Sequence, residues 1–199
     1  MKSHRFALLV VGILAVGGAV IYFAPQAKSW LDQRARDAEI AEWVRETKQA
    51  EESRTLFRAR LARLRVDRVY YIDVGPAPAG GPKPTKLHRY RVISASDSLP
   101  PSASNDLKSS LGRMLDTSPE FQAMCFIPHH AVSMTDGTDT FDVLVCFNCN
   151  NYEVRSSVGN FGGAFSADER ATWDRIFASG GLALPSEARQ PEPAKVTGA

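Results

Sequence analysis

The stretch that decides the fold is AVSMTDGTDTFDVLVCF, residues 131–147. Its two halves have the β-branched and apolar content of strands, and Asp136-Gly137 between them is a strong hairpin signal. A two-residue Asp-Gly turn and a four-residue DGTD loop are both compatible with this pattern. The two differ in pairing register, and only the longer loop sets His129 opposite Cys146. The stretch therefore predicts an antiparallel hairpin whose register decides which side chains share a face.

Further strands and helices are predicted on both sides of this hairpin. Strands are expected at 69–74, 87–94 and 152–156, and the segment 76–86, with four Pro and two Gly, is expected to be a loop. One helix is expected to be capped by Ser102 or Ser104 and to bury Leu107, Leu111, Met114 and Leu115. A second is expected to open with a capping box from Ser166 to Glu169, to bury Trp173, Ile176 and Phe177, and to end at Gly180-Gly181. The short loops between the predicted strands leave no room for parallel crossovers. The order of the predicted strands and helices therefore indicates an α+β domain with an antiparallel sheet of about five strands and two packing helices.

The N-terminal region carries a long uncharged stretch. Residues 6–24, FALLVVGILAVGGAVIYFA, follow a basic tail at 1–5, and 11 of the 19 are Leu, Ile, Val or Phe. As a helix they span roughly 28 Å, close to the hydrocarbon thickness of a bilayer. The alternative is a cleaved signal peptide, for which Lys2 and Arg5 supply the basic region, although the apolar run is long for one. The stretch predicts a transmembrane anchor, and hence a lipid bilayer as partner.

Charge and flanking residues suggest a location. The net charge of +2 argues against a nucleic-acid partner. A short basic tail before the first apolar segment usually stays in the cytoplasm. We therefore expect a single-pass protein of the bacterial inner membrane whose C-terminal domain is extracytoplasmic, and the sequence identifies no protein partner.

Residues 25–65 are predicted to form a charged helical stalk. Between 28 and 68 there are 11 Lys or Arg and 8 Asp or Glu, with no Gly or Pro, a composition that favours helix. The apolar stripe is too interrupted for a sustained heptad repeat, so a solvated helix is preferred over a coiled coil. The globular domain is expected to follow at 66–184, and a polar, Pro-bearing tail at 185–199.

The chemistry-bearing residues concentrate in one region. All three cysteines and two of the four histidines lie between 125 and 149, as Cys125-Phe-Ile-Pro-His129-His130 and Cys146-Phe-Asn-Cys149. One interpretation is a structural zinc site with three thiolates and one imidazole. A second is a thiol–disulfide pair of Cys146 and Cys149, which suits a location outside the cytosol. A third is that the cysteines are small buried core residues. A Cys125–His130 nucleophile pair lacks any signal for an oxyanion hole or an orienting acid.

The same stretch resembles a family of uncharacterised bacterial exported or membrane-attached domains with the pattern Cys-Phe-x-Pro-Arg-His, an Asp-Gly turn and Cys-Phe-x-Cys. The likeness covers roughly 87–184, and it departs at His129 and at Asn148. The matching positions are Cys125, Phe126, Pro128, His130, Asp136, Gly137, Cys146, Phe147 and Cys149. The resemblance carries no activity. It implies that Cys125, His130, Cys146 and Cys149 form one unit, which favours His130 over His129 as the histidine of the set. If that unit binds a metal, the thiolate and imidazole ligands predict zinc as the cofactor.

No enzyme class is indicated by the sequence. Paired carboxylates, a nucleophile elbow, a phosphate-binding loop and a dinucleotide fingerprint are all missing from it. The segment Gly159–Gly163 is expected to be a loop, and His88 is expected to be a core or edge residue of a strand.

Overall fold

The computed structural model describes the backbone of residues 2–75, 83–116 and 125–182, with side chains from residue 28 onward. These ranges contain three helices, α1 (Lys2–Arg60), α2 (Pro101–Asp116) and α3 (Glu169–Ser179). They also contain seven strands, β1 (Arg65–Asp73), β2 (Lys86–Leu87), β3 (Tyr90–Ser96), β4 (His130–Thr135), β5 (Thr140–Cys146), β6 (Asn151–Ser156) and β7 (Phe161–Ala164). The predicted C-terminal tail lies outside the described residues.

The chain divides into two compact units, Met1–Lys48 and Gln49–Ala199. Helix α1 continues beyond the first unit, and in the second unit Phe57 is fully buried. The last turns of α1, which fall within the predicted stalk at 25–65, therefore contribute to the core of the domain. The predicted anchor at 6–24 falls where no side chains are described. In the parts of the chain that are described, no helix has both the length and the apolar character needed to cross a membrane.

The seven strands form a single sheet in the order β2-β3-β1-β4-β5-β6-β7. Every neighbouring pair is antiparallel, which confirms the predicted α+β class. The predicted count of about five strands is too low. The expected strand 87–94 is divided by a turn at His88, and the glycine-rich segment expected to be a loop supplies β7.

The glycine at position 163 of β7 has a packing reason. A Cβ atom there would lie 2.8 Å from the Tyr152 hydroxyl and 2.8 Å from an Nη atom of Arg54. That Nη atom donates a hydrogen bond of 2.9 Å to the same hydroxyl. Gly163 therefore lets an arginine–tyrosine pair lie directly over the strand, which explains why this position is glycine.

The sheet has two distinct faces. We call the first the helix face, because α2, α3 and the end of α1 pack on it; it carries the main core, which includes Phe57, Tyr71, Leu107, Val132, Val143, Val145, Tyr152, Trp173 and Phe177. We call the other the outer face. It buries a smaller cluster of Ile72, Tyr90, Ala131 and Leu144, on which Phe126 packs. Alternate residues of β4 and β5 belong to opposite faces, as the period of a strand requires.

Helices α2 and α3 are joined by a buried polar network centred on Glu169. The Glu169 carboxylate accepts hydrogen bonds from Ser110 Oγ at 2.5 Å and from Arg113 Nε at 2.6 Å. The Trp173 indole N–H donates to the same Ser110 hydroxyl at 2.9 Å. The predicted capping box is therefore wrong. Glu169 reaches across to α2 instead of back to Ser166, and the N-cap residue Asp168 makes no capping hydrogen bond through its side chain.

Candidate functional site

The β4–β5 hairpin has the longer of the two predicted loops. Thr135 pairs with Thr140, so residues 136–139 form a four-residue connection. The carboxylate of Asp136 accepts hydrogen bonds from the backbone N–H groups of Thr138 and Asp139, at 3.1 and 3.0 Å. Gly137 takes a positive φ of 92°. This loop fixes the register in which His129, just before β4, lies opposite Cys146 at the end of β5.

Three different local structures bring the cysteines together. Cys146 is the last residue of β5 and is fully buried. Cys149 lies in the tight turn to β6, where Asn150 adopts a left-handed φ of 51° that asparagine tolerates better than most residues. Cys125 lies in the extended segment before β4 and is exposed. The chain thus approaches one point from a strand end, a turn and an incoming segment.

The three sulfur atoms are in contact, with Cys149 in the centre. Cys149 Sγ lies 2.8 Å from Cys125 Sγ and 2.8 Å from Cys146 Sγ. None of the three is bonded to another. A disulfide bond is about 2.05 Å long, and two thiolates on one tetrahedral zinc are roughly 3.5 to 4 Å apart. Cys149 is thus placed between two potential partners and within a small shift of bonding to either. We call these residues the sulfur cluster.

The surroundings of Cys149 keep it protonated when all three thiols are reduced. Burial raises the pKa of the Cys149 thiol to about 12, and the hydrogen bonds to Cys125 and Cys146 add to this effect. A hydrogen bond from the backbone N–H of Ile127 acts in the opposite direction and is the weaker influence. Because the thiolate is the reactive form of cysteine, Cys149 is not an activated nucleophile in the reduced cluster.

His130 does not lie with the sulfur cluster. It pairs with Val145 and shares the helix face, whereas Cys146 follows Val145 and belongs to the outer face. Its ring packs against Tyr71 and Phe177, with ring centroids 4.9 and 5.0 Å away. Placing His130 in one unit with the three cysteines is therefore not supported, because a one-residue step along a strand reverses the face.

The His130 imidazole has a buried acidic partner of its own. Its Nε2 lies 3.1 Å from Asp174 Oδ1 on α3, and its Nδ1 is buried without a hydrogen-bond partner in the described structure. Burial lowers the pKa of His130, and the interaction with Asp174 offsets only part of this shift. We conclude that His130 is a neutral core residue that ties β4 to α3.

A metal ion bound at this site would take the sulfur atoms of the three cysteines as ligands. Across the described residues, no group of three or more His, Cys, Asp or Glu side chains has the arrangement of a metal site. The sulfur contacts at 2.8 Å are tighter than zinc coordination, so zinc binding would require the cluster to open slightly. His129 is half-buried and continues the register opposite Cys146, so it is the histidine on the strand face of the sulfur cluster.

The sequence analysis missed a pair of polar side chains, His88 and Asp142. His88 Nε2 lies 2.9 Å from Asp142 Oδ2, at a cleft on the outer face. The turn that brings His88 there is not visible in the sequence, because no Gly or Asn marks it. The acidic residue in the middle of the apolar strand β5 was the available signal, since a half-buried carboxylate needs a partner.

The comparisons with known proteins add nothing to this geometry: no family model, no curated protein and no solved structure matches the chain. The resemblance to exported bacterial domains stays a prediction that rests on the cysteine, proline and histidine positions.

Proposed function

We propose that this protein is a membrane-anchored, extracytoplasmic domain that carries a thiol–disulfide site. The observation that carries the proposal is the central position of Cys149, whose sulfur is 2.8 Å from both Cys125 and Cys146. A core of inert cysteines does not require such contacts, because a buried Cys packs as well against carbon. Sulfurs in contact are the arrangement from which a disulfide forms with little movement of the backbone.

The chemistry of such a site has two steps. In the first, Cys149 and Cys146 lose two electrons and two protons to an external disulfide, which is reduced to two thiols. In the second, the thiolate of Cys125 attacks Cys149 Sγ, so that the Cys125–Cys149 bond forms and Cys146 leaves as a thiolate and takes up a proton. This exchange consumes no oxidant. Cys125 is the attacking group because it is the exposed member, while Cys146 is buried.

The compartment belongs to the same proposal. Disulfides persist outside the cytosol, and the apolar residues 6–24 behind a basic tail are the kind of anchor that would hold the domain there. A phosphatase fusion placed after Gly181 should be active only if the domain is extracytoplasmic. Activity of a cytoplasmic reporter at the same position, with an inactive phosphatase, would refute the location.

Zinc binding by the reduced cluster is the second candidate function. It is favoured by the presence of a third sulfur, which a simple disulfide does not need, and by the backbone N–H of Ile127 that donates to Cys149. In this state Cys125, Cys146 and Cys149 would be thiolates and His129 the candidate fourth ligand. Zinc would take the place of the three thiol protons, because thiol ligands bind metal only when deprotonated.

One measurement separates the two candidates. The full-length chain is purified from membranes without reductant and its mass is determined under native and denaturing conditions. A loss of two hydrogens that persists on denaturation supports the disulfide. Added zinc mass that disappears on denaturation supports the metal site. A chain that carries three free thiols and no metal would refute both functions, and the cysteines would then be core residues that only pack.

A further inference from the structure

Two alternative disulfides are open to the sulfur cluster, and they close loops of very different length. Cys125 and Cys149 are 24 residues apart in the sequence, whereas Cys146 and Cys149 are 3 residues apart. The longer loop contains the whole β4–β5 hairpin, and the shorter loop is the turn between β5 and β6. Because both bonds use Cys149, only one of them can exist at a time, and each ties a different part of the chain.

The extended segment before β4, residues 125–129, is tied by only one of the two bonds. We call it the incoming segment. Its backbone is attached to its neighbours by hydrogen bonds: the Ile127 N–H donates to the sulfur of Cys149, and the His129 carbonyl accepts from the Ile72 N–H at 2.9 Å. The Ile127 side chain is 43% exposed, so it adds little burial. Without a bond at its cysteine, the incoming segment is held to the sheet by noncovalent contacts alone.

The incoming segment covers part of the outer face of the sheet. Phe126 is half-buried and packs on the apolar cluster that includes the buried residues Tyr90 and Leu144. Movement of the segment away from the sheet would expose apolar surface of this cluster to water, which is unfavourable. Phe126 directly follows Cys125 in the chain, so a bond at Cys125 holds this cover in place.

The lengths of the two loops make the two bonds unequal in effect. A disulfide stabilises a fold mainly by restricting the unfolded chain, and this effect grows with the logarithm of the loop length. Between loops of 24 and 3 residues the difference corresponds to about 20-fold in the equilibrium between the folded and the unfolded chain. The Cys146–Cys149 bond adds little for a second reason, because the paired strands β5 and β6 already fix the two ends of its turn.

We propose that exchange between the two disulfides is a conformational switch, in which the Cys125–Cys149 bond clamps the incoming segment over the outer face and the Cys146–Cys149 bond releases it. This inference rests on the thiol–disulfide function proposed above. In the exchange, the Cys125 thiolate attacks Cys149 Sγ, and Cys146 leaves as a thiolate and takes up a proton, so that no electrons are gained or lost. The switch therefore changes the exposure of an apolar surface at a constant oxidation level.

The test is hydrogen–deuterium exchange, measured by mass spectrometry on the full-length chain in a maltoside detergent. Cys146→Ser can form only the Cys125–Cys149 bond, and Cys125→Ser only the Cys146–Cys149 bond. Each variant is measured oxidised and reduced, so that each chain is its own reference. We expect oxidation to slow amide exchange in residues 126–129 at least tenfold in Cys146→Ser and less than twofold in Cys125→Ser.

Two further measurements keep the outcomes distinct. Cys146→Ala repeats the test without placing a hydroxyl at a fully buried position, and protected amides in α2 show that each variant is folded. The masses of the oxidised variants report the disulfide as a loss of two hydrogens. If both bonds form but exchange in residues 126–129 slows equally in the two variants, or in neither, the switch is overturned and the thiol–disulfide function stands. If neither bond forms, that function fails, and the switch fails with it.

Discussion

The buried carboxylate of Glu169 gives the sharpest test of how the helices are fixed to each other. Besides Ser110 Oγ and Arg113 Nε, it accepts a hydrogen bond of 2.9 Å from an Nη atom of Arg113. The substitution Glu169→Gln keeps the shape of the side chain and removes its charge. A hydrogen bond to a charged group contributes about 1.5–3 kcal/mol to stability. The Arg113 side chain is 55% exposed, so solvent screening lowers the contribution of its hydrogen bonds to about 1 kcal/mol. We expect Glu169→Gln to lower the free energy of unfolding by about 1–2 kcal/mol at pH 7.

The effect of pH supplies a second readout for the same substitution. The hydrogen bond from Arg113 is the main reason why the pKa of Glu169 is lowered in the folded protein. A carboxylate with a lowered pKa stabilises the fold above its unfolded pKa of about 4.3, and this contribution is lost as the pH falls through the lower folded value. The difference between the original chain and Glu169→Gln should therefore shrink in acid.

Urea unfolding of the full-length chain, followed by circular dichroism at pH 7 and near pH 3, measures both effects. The control is Glu42→Gln, which removes the same charge from an ion pair with Arg45. Both side chains of that pair are exposed, and the nitrogen–oxygen distance is 3.4 Å. This substitution should change the unfolding free energy by less than about 0.5 kcal/mol. The reasoning is refuted if Glu169→Gln is as stable as the control, or if its deficit is the same at both pH values.

Two further predictions concern the core. Phe57→Ala should destabilise the domain by about 3–5 kcal/mol in urea unfolding, because the Phe57 ring is fully buried with its centroid 5.2 Å from that of Phe141. The control is Trp43→Ala, at a 65% exposed position of the same helix, and equal effects of the two substitutions would contradict the contribution of α1 to the domain core. Burial lowers the pKa of His130 below its unfolded value, so protonation opposes folding and stability should fall as the pH drops below about 6.5. His130→Gln should flatten this decline and His129→Gln should not; an unchanged slope in His130→Gln would contradict a neutral core histidine.

The fold class could be predicted because the hairpin pattern is strong and local. The loop length could not, because Asp136-Gly137 also suits a two-residue turn. In the folded protein an Nη atom of Arg60 donates to Asp139 Oδ2 at 2.6 Å, and Thr135 Oγ1 donates to the Asp139 backbone carbonyl at 2.9 Å. These contacts place Asp139 within the loop. The contact from Arg60 involves helix α1, which is far from the hairpin in sequence. The residues of the hairpin alone therefore do not decide between the two registers.

The candidate site was predicted in its sulfur part and not in its histidine. The pairing of the two hairpin strands brings Cys125, Cys146 and Cys149 to the open end of the hairpin in either register. The choice between His129 and His130 depends on the face of a strand, which changes with every residue. The capping box failed for a related reason: Ser166 and Glu169 have the right spacing, but Arg113 on another helix is a stronger partner for the carboxylate than a backbone N–H.

The position of Cys149 between two partners is tested most directly by counting free thiols in three variants of the full-length chain. The protein is isolated from the membrane without reductant, denatured and alkylated, and its mass is then determined by mass spectrometry. The original chain should show one alkylated thiol. Cys125→Ser and Cys146→Ser should each show none, because Cys149 bonds to whichever partner remains, and Cys149→Ser should show two. A disulfide that persists in Cys149→Ser, or three alkylated thiols in the original chain, would contradict the account.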